Sequence, residues 1–230
     1  CALPILSTFV ALPGQLAAAG FPAAEHWKIY LVTMLISFVS VVPFIIYAEV
    51  KRKMKRVFVG CVALLLIAEI VLWGAGPHFW ELIAGVQLFF LAFNLMEALL
   101  PSLISKESPA GYKGTAMGIY STSQFLGVAI GGSLGGWVDG LFDSQTVFLA
   151  GALLATVWLL VAGTMKEPRY VSSLRVEIPD DVEISDALKQ HLEAKEGVTE
   201  VLIVPEERSA YVKIDSKVTN RFEVEQALKA

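Results

Sequence analysis

The sequence predicts two structures in one chain. An all-α membrane bundle of six transmembrane helices occupies residues 1–165. A small α+β domain occupies residues 171–230, and residues 166–170 link them. Three observations predict this. Of 230 residues, 55% are hydrophobic and 17% charged, against roughly 45–50% and ~25% in an ordinary soluble domain. The charge is uneven: eight basic and eight acidic side chains fall in residues 1–165, ten and fourteen in residues 166–230, so the net charge of −4 belongs to the tail. Finally, six windows are long and apolar enough for a helix through a bilayer core, which takes about 20 residues for ~30 Å. Such a composition excludes a disordered chain, a nucleic-acid binder and an ordinary cytosolic enzyme.

The six windows are Leu3–Ala19, Trp27–Ala48, Val57–Gly74, Phe79–Ile104, Gly114–Val138 and Thr146–Met165. The breaks between them carry turn and charge signals: Gly20-Phe21-Pro22, Glu49 to Arg56, Gly74 to Pro77, Ser105 to Lys113, and Gly140 to Ser144. Seven of the eight basic residues before the tail lie in the second and fourth loops. The positive-inside bias makes those loops cytoplasmic, and with six spans the tail is cytoplasmic too. Trp27, Tyr30, Trp73, Trp80, Trp137 and Phe142 gather at the opposite ends as an aromatic belt. Cys1 and Cys61 are the only cysteines, so no disulfide framework is expected. Cys1 opens mid-way into an apolar stretch without a basic leader or cleavage signal, so the sequence is expected to continue upstream.

Polar groups inside the spans mark candidate functional residues, because an ionisable side chain at mid-bilayer costs at least ~2.5–3.5 kcal/mol. In the fourth span Gln87, Asn94 and Pro101 are spaced by seven, with Glu97 three residues after Asn94. On a helix these share one face about 21 Å long, expected to line an aqueous cleft with Glu97 as its titratable group. Glu69 in the third span is a second proton-coupling candidate, near the outer end, able to snorkel or pair. Tyr120 and Gln124 sit four apart and can face the same cleft. Gln15 is a further cleft-lining candidate, because it follows Pro13-Gly14, a pair able to break the first helix and free backbone groups toward a cavity. The stripe Tyr30, Thr33, Ser37, Ser40 and Tyr47 reads as helix packing, and so do the small-xxx-small pairs Gly114–Gly118, Gly127–Gly131 and Gly132–Gly136. His26, His78 and His191 do not cluster, and no metal or cofactor site is expected.

The six spans, the basic second loop, Asn94-Leu-Met-Glu97-Ala-Leu-Leu-Pro101-Ser-Leu, and Gly114-Thr-Ala-Met-Gly118-Ile-Tyr-Ser-Thr-Ser-Gln124-Phe-Leu-Gly127 with its following glycines together resemble a known family. They are similar to the C-terminal half of a major facilitator superfamily transporter of the drug/proton antiporter type. The resemblance implies half of a major facilitator fold in a bacterial inner membrane, partnered by a missing N-terminal six-span half. It also implies alternating access driven by protons. The loop Ala48-Glu49-Val50-Lys51-Arg52-Lys53-Met54-Lys55-Arg56 keeps an acid and a basic run but lacks the family's glycine and aspartate. Glu49, Lys51, Arg52, Lys55 and Arg56 therefore fix topology, with a gating role as the further expectation.

In the tail, Leu174, Val176 and Ile178 alternate as a strand, and Pro179-Asp180-Asp181 turns the chain. Ile184, Leu188 and Leu192 mark a helix ended by Gly197. Val201–Val204 and Ala210–Ile214 form a hairpin through Pro205-Glu-Glu-Arg208, and Phe222, Val224 and Leu228 close with a second helix. The order βαββα resembles a ferredoxin-like domain of the heavy-metal-associated layout. The loop that would hold Cys-x-x-Cys reads Ile178-Pro-Asp-Asp-Val182 and offers no thiolate, so metal carriage is not expected. A 65-residue segment has a marginal core, so self-association or a regulatory contact would support it.

Two functions fit. One is half of a secondary transporter exporting small amphipathic compounds in exchange for protons. The other is a membrane-anchored sensor whose cytoplasmic domain binds a partner or ligand. An intramembrane enzyme is not expected, because no His-Asp, Glu-x-x-His or Ser-His constellation lies in the spans.

Overall fold

The computed structural model describes residues 2–179 and 182–228. Cys1, the Asp180-Asp181 turn and the last two residues of the tail lie outside the described residues. Six long helices come first: α1 (Ala2–Ala18), α2 (His26–Val50), α3 (Met54–Ala75), α4 (Phe79–Glu107), α5 (Lys113–Leu141) and α6 (Ser144–Gly163). They coincide with the six apolar windows to within a few residues. Taken singly, four helical stretches are long and apolar enough to cross a membrane: Ala23–Val50, Met54–Ala75, Phe79–Glu107 and Ser144–Gly163. α1 has 17 described residues, and the many glycines and hydroxyls of α5 dilute its hydropathy.

The chain divides into two compact units. The first holds the residues up to Pro101 and Tyr120–Glu167. Its centre is α3 against α6 and α1 against α6. Cys61, Leu65, Ala68 and Leu72 are buried on α3, and Phe148, Ala152 and Ala155 on α6. Small side chains let these helices approach closely, which is how helices associate without a hydrophobic driving force. Phe9 on α1 stands edge-on to Phe89, Phe90 and Phe93 of α4, with ring centroids 5.4, 5.8 and 6.1 Å apart. α6 begins at Asp143, whose carboxylate accepts from Thr146 N and Thr146 Oγ1, both at 2.7 Å. These bonds hold Asp143 below the usual carboxylate range.

One expectation is corrected. Pro13-Gly14 does not break α1, which runs through Pro13 without interruption. A Cβ on Gly14 would lie 2.8 Å from Ser144 Oγ, so this glycine makes room for the start of α6. Two of the three glycine pairs of α5, Gly114–Gly118 and Gly132–Gly136, are corrected as well. Gly114, Gly118, Gly132 and Gly136 face open space, whereas Gly135 is pressed against Ser7 of α1, where a Cβ would come 2.7 Å from its Cα.

The second unit joins the corner Ser102–Ile119 to the chain from Pro168 on. Its tail comprises β1 (Ser172–Glu177), α7 (Asp186–Glu193), β2 (Val198–Val204), β3 (Ser209–Ile214) and α8 (Arg221–Ala227). The sheet order is β1-β3-β2, with β3 antiparallel to both neighbours. Val176, Leu192, Val201, Val212, Val224 and Leu228 form the core under the helices. Phe222, one of the apolar residues that mark α8 in the sequence, is 66% exposed, because α8 turns Val224 and Leu228 inward and leaves Phe222 on its outer face. Ser185 and Asn220 cap α7 and α8 by accepting from Leu188 N and Glu223 N. The other face of the sheet meets the corner. Lys213, 5% exposed, donates to the Lys106 carbonyl at 2.8 Å, and Gly111, at φ +78°, leaves no space for a Cβ beside Leu202.

Two outcomes are expected. Leu192→Ala should destabilise the tail by about 2–5 kcal/mol, visible as accelerated limited proteolysis after residue 170. The amide of Thr146 should report Asp143 titrating below ~3.9, the ordinary aspartate value. The cap then holds above that range and is lost only as pH falls through the lowered value; NMR titration of that amide checks it.

Candidate functional site

The polar stripe on α4 does not act as one surface. Each member turns to a different partner. Gln87 Nε2 donates to Ser37 Oγ of α2 at 2.6 Å, tying α4 to the hydroxyl stripe, where Thr33 and Ser37 are buried. Asn94 Nδ2 donates to the Phe90 carbonyl of its own helix at 2.8 Å. Glu97 reaches α5, where Gln124 Nε2 donates to its Oε1 at 2.8 Å.

That α4–α5 link is the centre of the candidate site. Glu97 is exposed and Gln124 half-buried. Tyr120 lies one helical turn before Gln124 on α5. Its hydroxyl is buried and finds no hydrogen-bond partner among the described residues. The helical spacing of four puts Tyr120 and Gln124 on one side of α5, and Glu97 meets that side from α4. An exposed carboxylate beside an amide donor and a phenol can offer both a charge and hydrogen bonds to a bound molecule.

Glu69 lies elsewhere. It is 0% exposed, sealed where α1, α3 and α6 meet. Thr8 Oγ1 donates to its Oε1 at 2.5 Å, and Oε2 has no hydrogen-bond partner among the described residues. Of the two expectations for Glu69, snorkelling and pairing, the structure has the pairing: the pocket closes over it because Gly151 of α6 has no side chain, and a Cβ there would lie 2.8 Å from Oε2. Burying a carboxyl in such a seam without any donor would cost several kcal/mol, so Thr8 matters to the packing. The sequence reading missed Thr8 and Gly151. A visible signal was there for Thr8, which is seven residues before Gln15 and so shares its face of α1.

Gln15 is 7% exposed. With its amide turned to suit its neighbours, it donates to the Gly76 carbonyl at 3.2 Å and accepts from Gln145 N at 3.3 Å. It therefore joins α1 to two loop ends, apart from the Glu97 group. The basic loop sits at the α2–α3 turn, with Arg52 in the left-handed region at φ 51° and Lys53 Nζ 5.9 Å from the Tyr47 ring centroid. Among the described residues no group of three or more His, Cys, Asp or Glu could hold a metal ion.

Four apolar helical stretches of membrane-crossing length among the described residues and a small α/β tail define a polytopic membrane protein. Over 225 residues the chain is 76% identical to the inner membrane transport protein YajR of Escherichia coli (strain K12), covering 98% of this chain and 50% of that protein. Residues 174–230 match the family model of the YajR YAM domain. An uncharacterized transporter of Buchnera aphidicola subsp. Acyrthosiphon pisum is 38% identical over 127 residues, 55% of this chain and 33% of its own. An uncharacterized MFS-type transporter of Pseudomonas aeruginosa (strain UCBPP-PA14) is 31% identical over 107 residues, 46% of this chain and 26% of its own. The chain is thus similar to YajR along nearly all of its own length, and it spans half the length, or less, of these curated relatives.

Removing a donor to a sealed carboxyl has a measurable cost. Thr8→Val is expected to lower bundle stability by about 1–3 kcal/mol, whereas Thr8→Ser, which keeps the hydroxyl, should cost less. Thermal unfolding of the detergent-solubilised protein followed by tryptophan fluorescence distinguishes the two.

Proposed function

We propose that this chain forms one six-span half of a proton-coupled secondary transporter of the bacterial inner membrane, exporting small amphipathic compounds by alternating access. The observation that carries the reading is the Gln124–Glu97 hydrogen bond on an exposed face of α4 and α5. A hydrophilic pair on an exposed helix face belongs toward a water-filled cleft rather than toward acyl chains. The other half of YajR's length leaves room for a second bundle facing this one. The relatives' names speak for transport over a membrane-anchored sensor.

In this reading α1, α2, α4 and α5 supply the cleft. Glu97 is the proton carrier, Gln124 and Tyr120 orient it, and Asn94 and Gln87 border it. The ionised carboxylate accepts from Gln124. Once protonated it loses about half of that attraction, so protonation loosens α4 from α5 and favours a different arrangement of the two helices. A group biases a conformational equilibrium only through such a difference in interaction. Glu69, tied to Thr8, serves as a second candidate carrier. Gln15 holds the loop ends, while Glu49, Lys51, Arg52, Lys55 and Arg56 set orientation and keep the tail cytoplasmic. The tail is a ferredoxin-like domain lacking its last strand, in regulatory contact with the corner Ser102–Ile119. No cofactor takes part.

The test uses proteoliposomes of the full-length transporter and an imposed pH gradient. Glu97→Gln should reduce gradient-driven efflux of a fluorescent amphipathic dye to the uncoupled background while facilitated exchange continues. Unchanged gradient-driven efflux at every pH would remove Glu97 from the role.

A further inference from the structure

α2, α3 and α4 enclose an apolar groove of about 650 Å³, its wall including Pro43, Phe44, Gly60, Leu64 and Leu95. Tyr47 and Arg56 form one end of it. Along α3 it runs from Arg56 to Leu64, eight residues or ~12 Å of helix. One leaflet of a ~30 Å hydrocarbon core is about 15 Å deep, so the groove has the depth of a single leaflet. Gly60 keeps it open, for a Cβ at that position would meet nothing within 4 Å. Phe44, Tyr47 and Arg56 are exposed along it.

The charge at its mouth is one-sided. Lys51, Arg52, Lys53, Lys55 and Arg56 stand against the single acid Glu49, and Lys53 Nζ already lies 5.9 Å from the Tyr47 ring centroid. An apolar slot one leaflet deep, ending in a cluster of cations and a phenol hydroxyl, matches an amphiphile with a long hydrocarbon chain and an anionic head. We propose that this groove binds an anionic phospholipid. One acyl chain lies along Gly60 and Leu64, and the headgroup phosphate is held by Arg56 and Lys53 with the Tyr47 hydroxyl donating to it. This is a lipid site of the bundle itself, separate from the Glu97 group and independent of what crosses the cleft.

Native mass spectrometry of the full-length transporter in mild detergent, with palmitoyl-oleoyl phosphatidylglycerol or the corresponding phosphatidylcholine added, tests it. The unaltered protein should retain phosphatidylglycerol in preference to phosphatidylcholine. Arg56→Gln should weaken phosphatidylglycerol retention about fivefold, the scale of one cation at an anionic surface, and leave phosphatidylcholine unchanged. Gly60→Leu, whose Cβ has open space and whose side chain extends into the groove, should weaken both. Equal retention of the two lipids, retention unaffected by either substitution, or no lipid retained because another membrane segment fills the groove would each overturn the proposal. Arg56 is exposed on the surface, so its substitution leaves the fold intact for the comparison.

Discussion

Hydrocarbon offers no hydrogen bonds, and everything else about the helical bundle follows from how its few hydrophilic side chains meet that condition. Helical structure satisfies the backbone within each segment. The side chains then have three solutions, and this protein uses all of them. Asn94 bonds back to its own helix. Gln87 and Glu69 bond across to neighbouring helices. Glu97 finds a partner on α5 while staying exposed. Among these four side chains Glu97 alone is both ionisable and exposed, which sets it apart from the groups used up in bonding between helices.

Close approach of the helices rests on individual glycines placed opposite particular side chains. Gly151 faces Glu69, Gly85 faces Leu72, Gly14 faces Ser144 and Gly135 faces Ser7. Each omits a Cβ where a partner atom already stands. The sealed carboxyl of Glu69 therefore depends on a residue 82 positions later as much as on its own donor Thr8. Where no partner stands opposite, as at Gly60 of α3, the missing side chain leaves a groove instead.

The tail obeys the rules of water. Its strands alternate and its helices are amphipathic, capped by Ser185 and Asn220. Its nine buried core residues form one small cluster, and the remaining face of its sheet is in contact with the corner between α4 and α5. Lys213 is buried there with its ammonium on the Lys106 carbonyl, and Arg169 N donates to Glu107 Oε1 at 3.3 Å. A small domain thus gains a second packing surface that its own core does not supply.

Helix and strand positions were legible from residue order, because the period of apolar side chains and the placement of Gly, Pro and charge are local properties. So were the contrast between a lipid-like and a water-like part and the pairing of Tyr120 with Gln124 one turn apart. The run of Gln87, Asn94 and Glu97 along α4 was equally readable, but not its break-up among three partners, since those are chosen by helices tens of residues away. The same limit concealed the uninterrupted course of α1 through Pro13, the outward turn of Phe222, and the enclosure of Glu69. Which face of a helix is covered, and by what, is decided by the packing of the neighbouring helices, and a periodicity names a face without naming its neighbour.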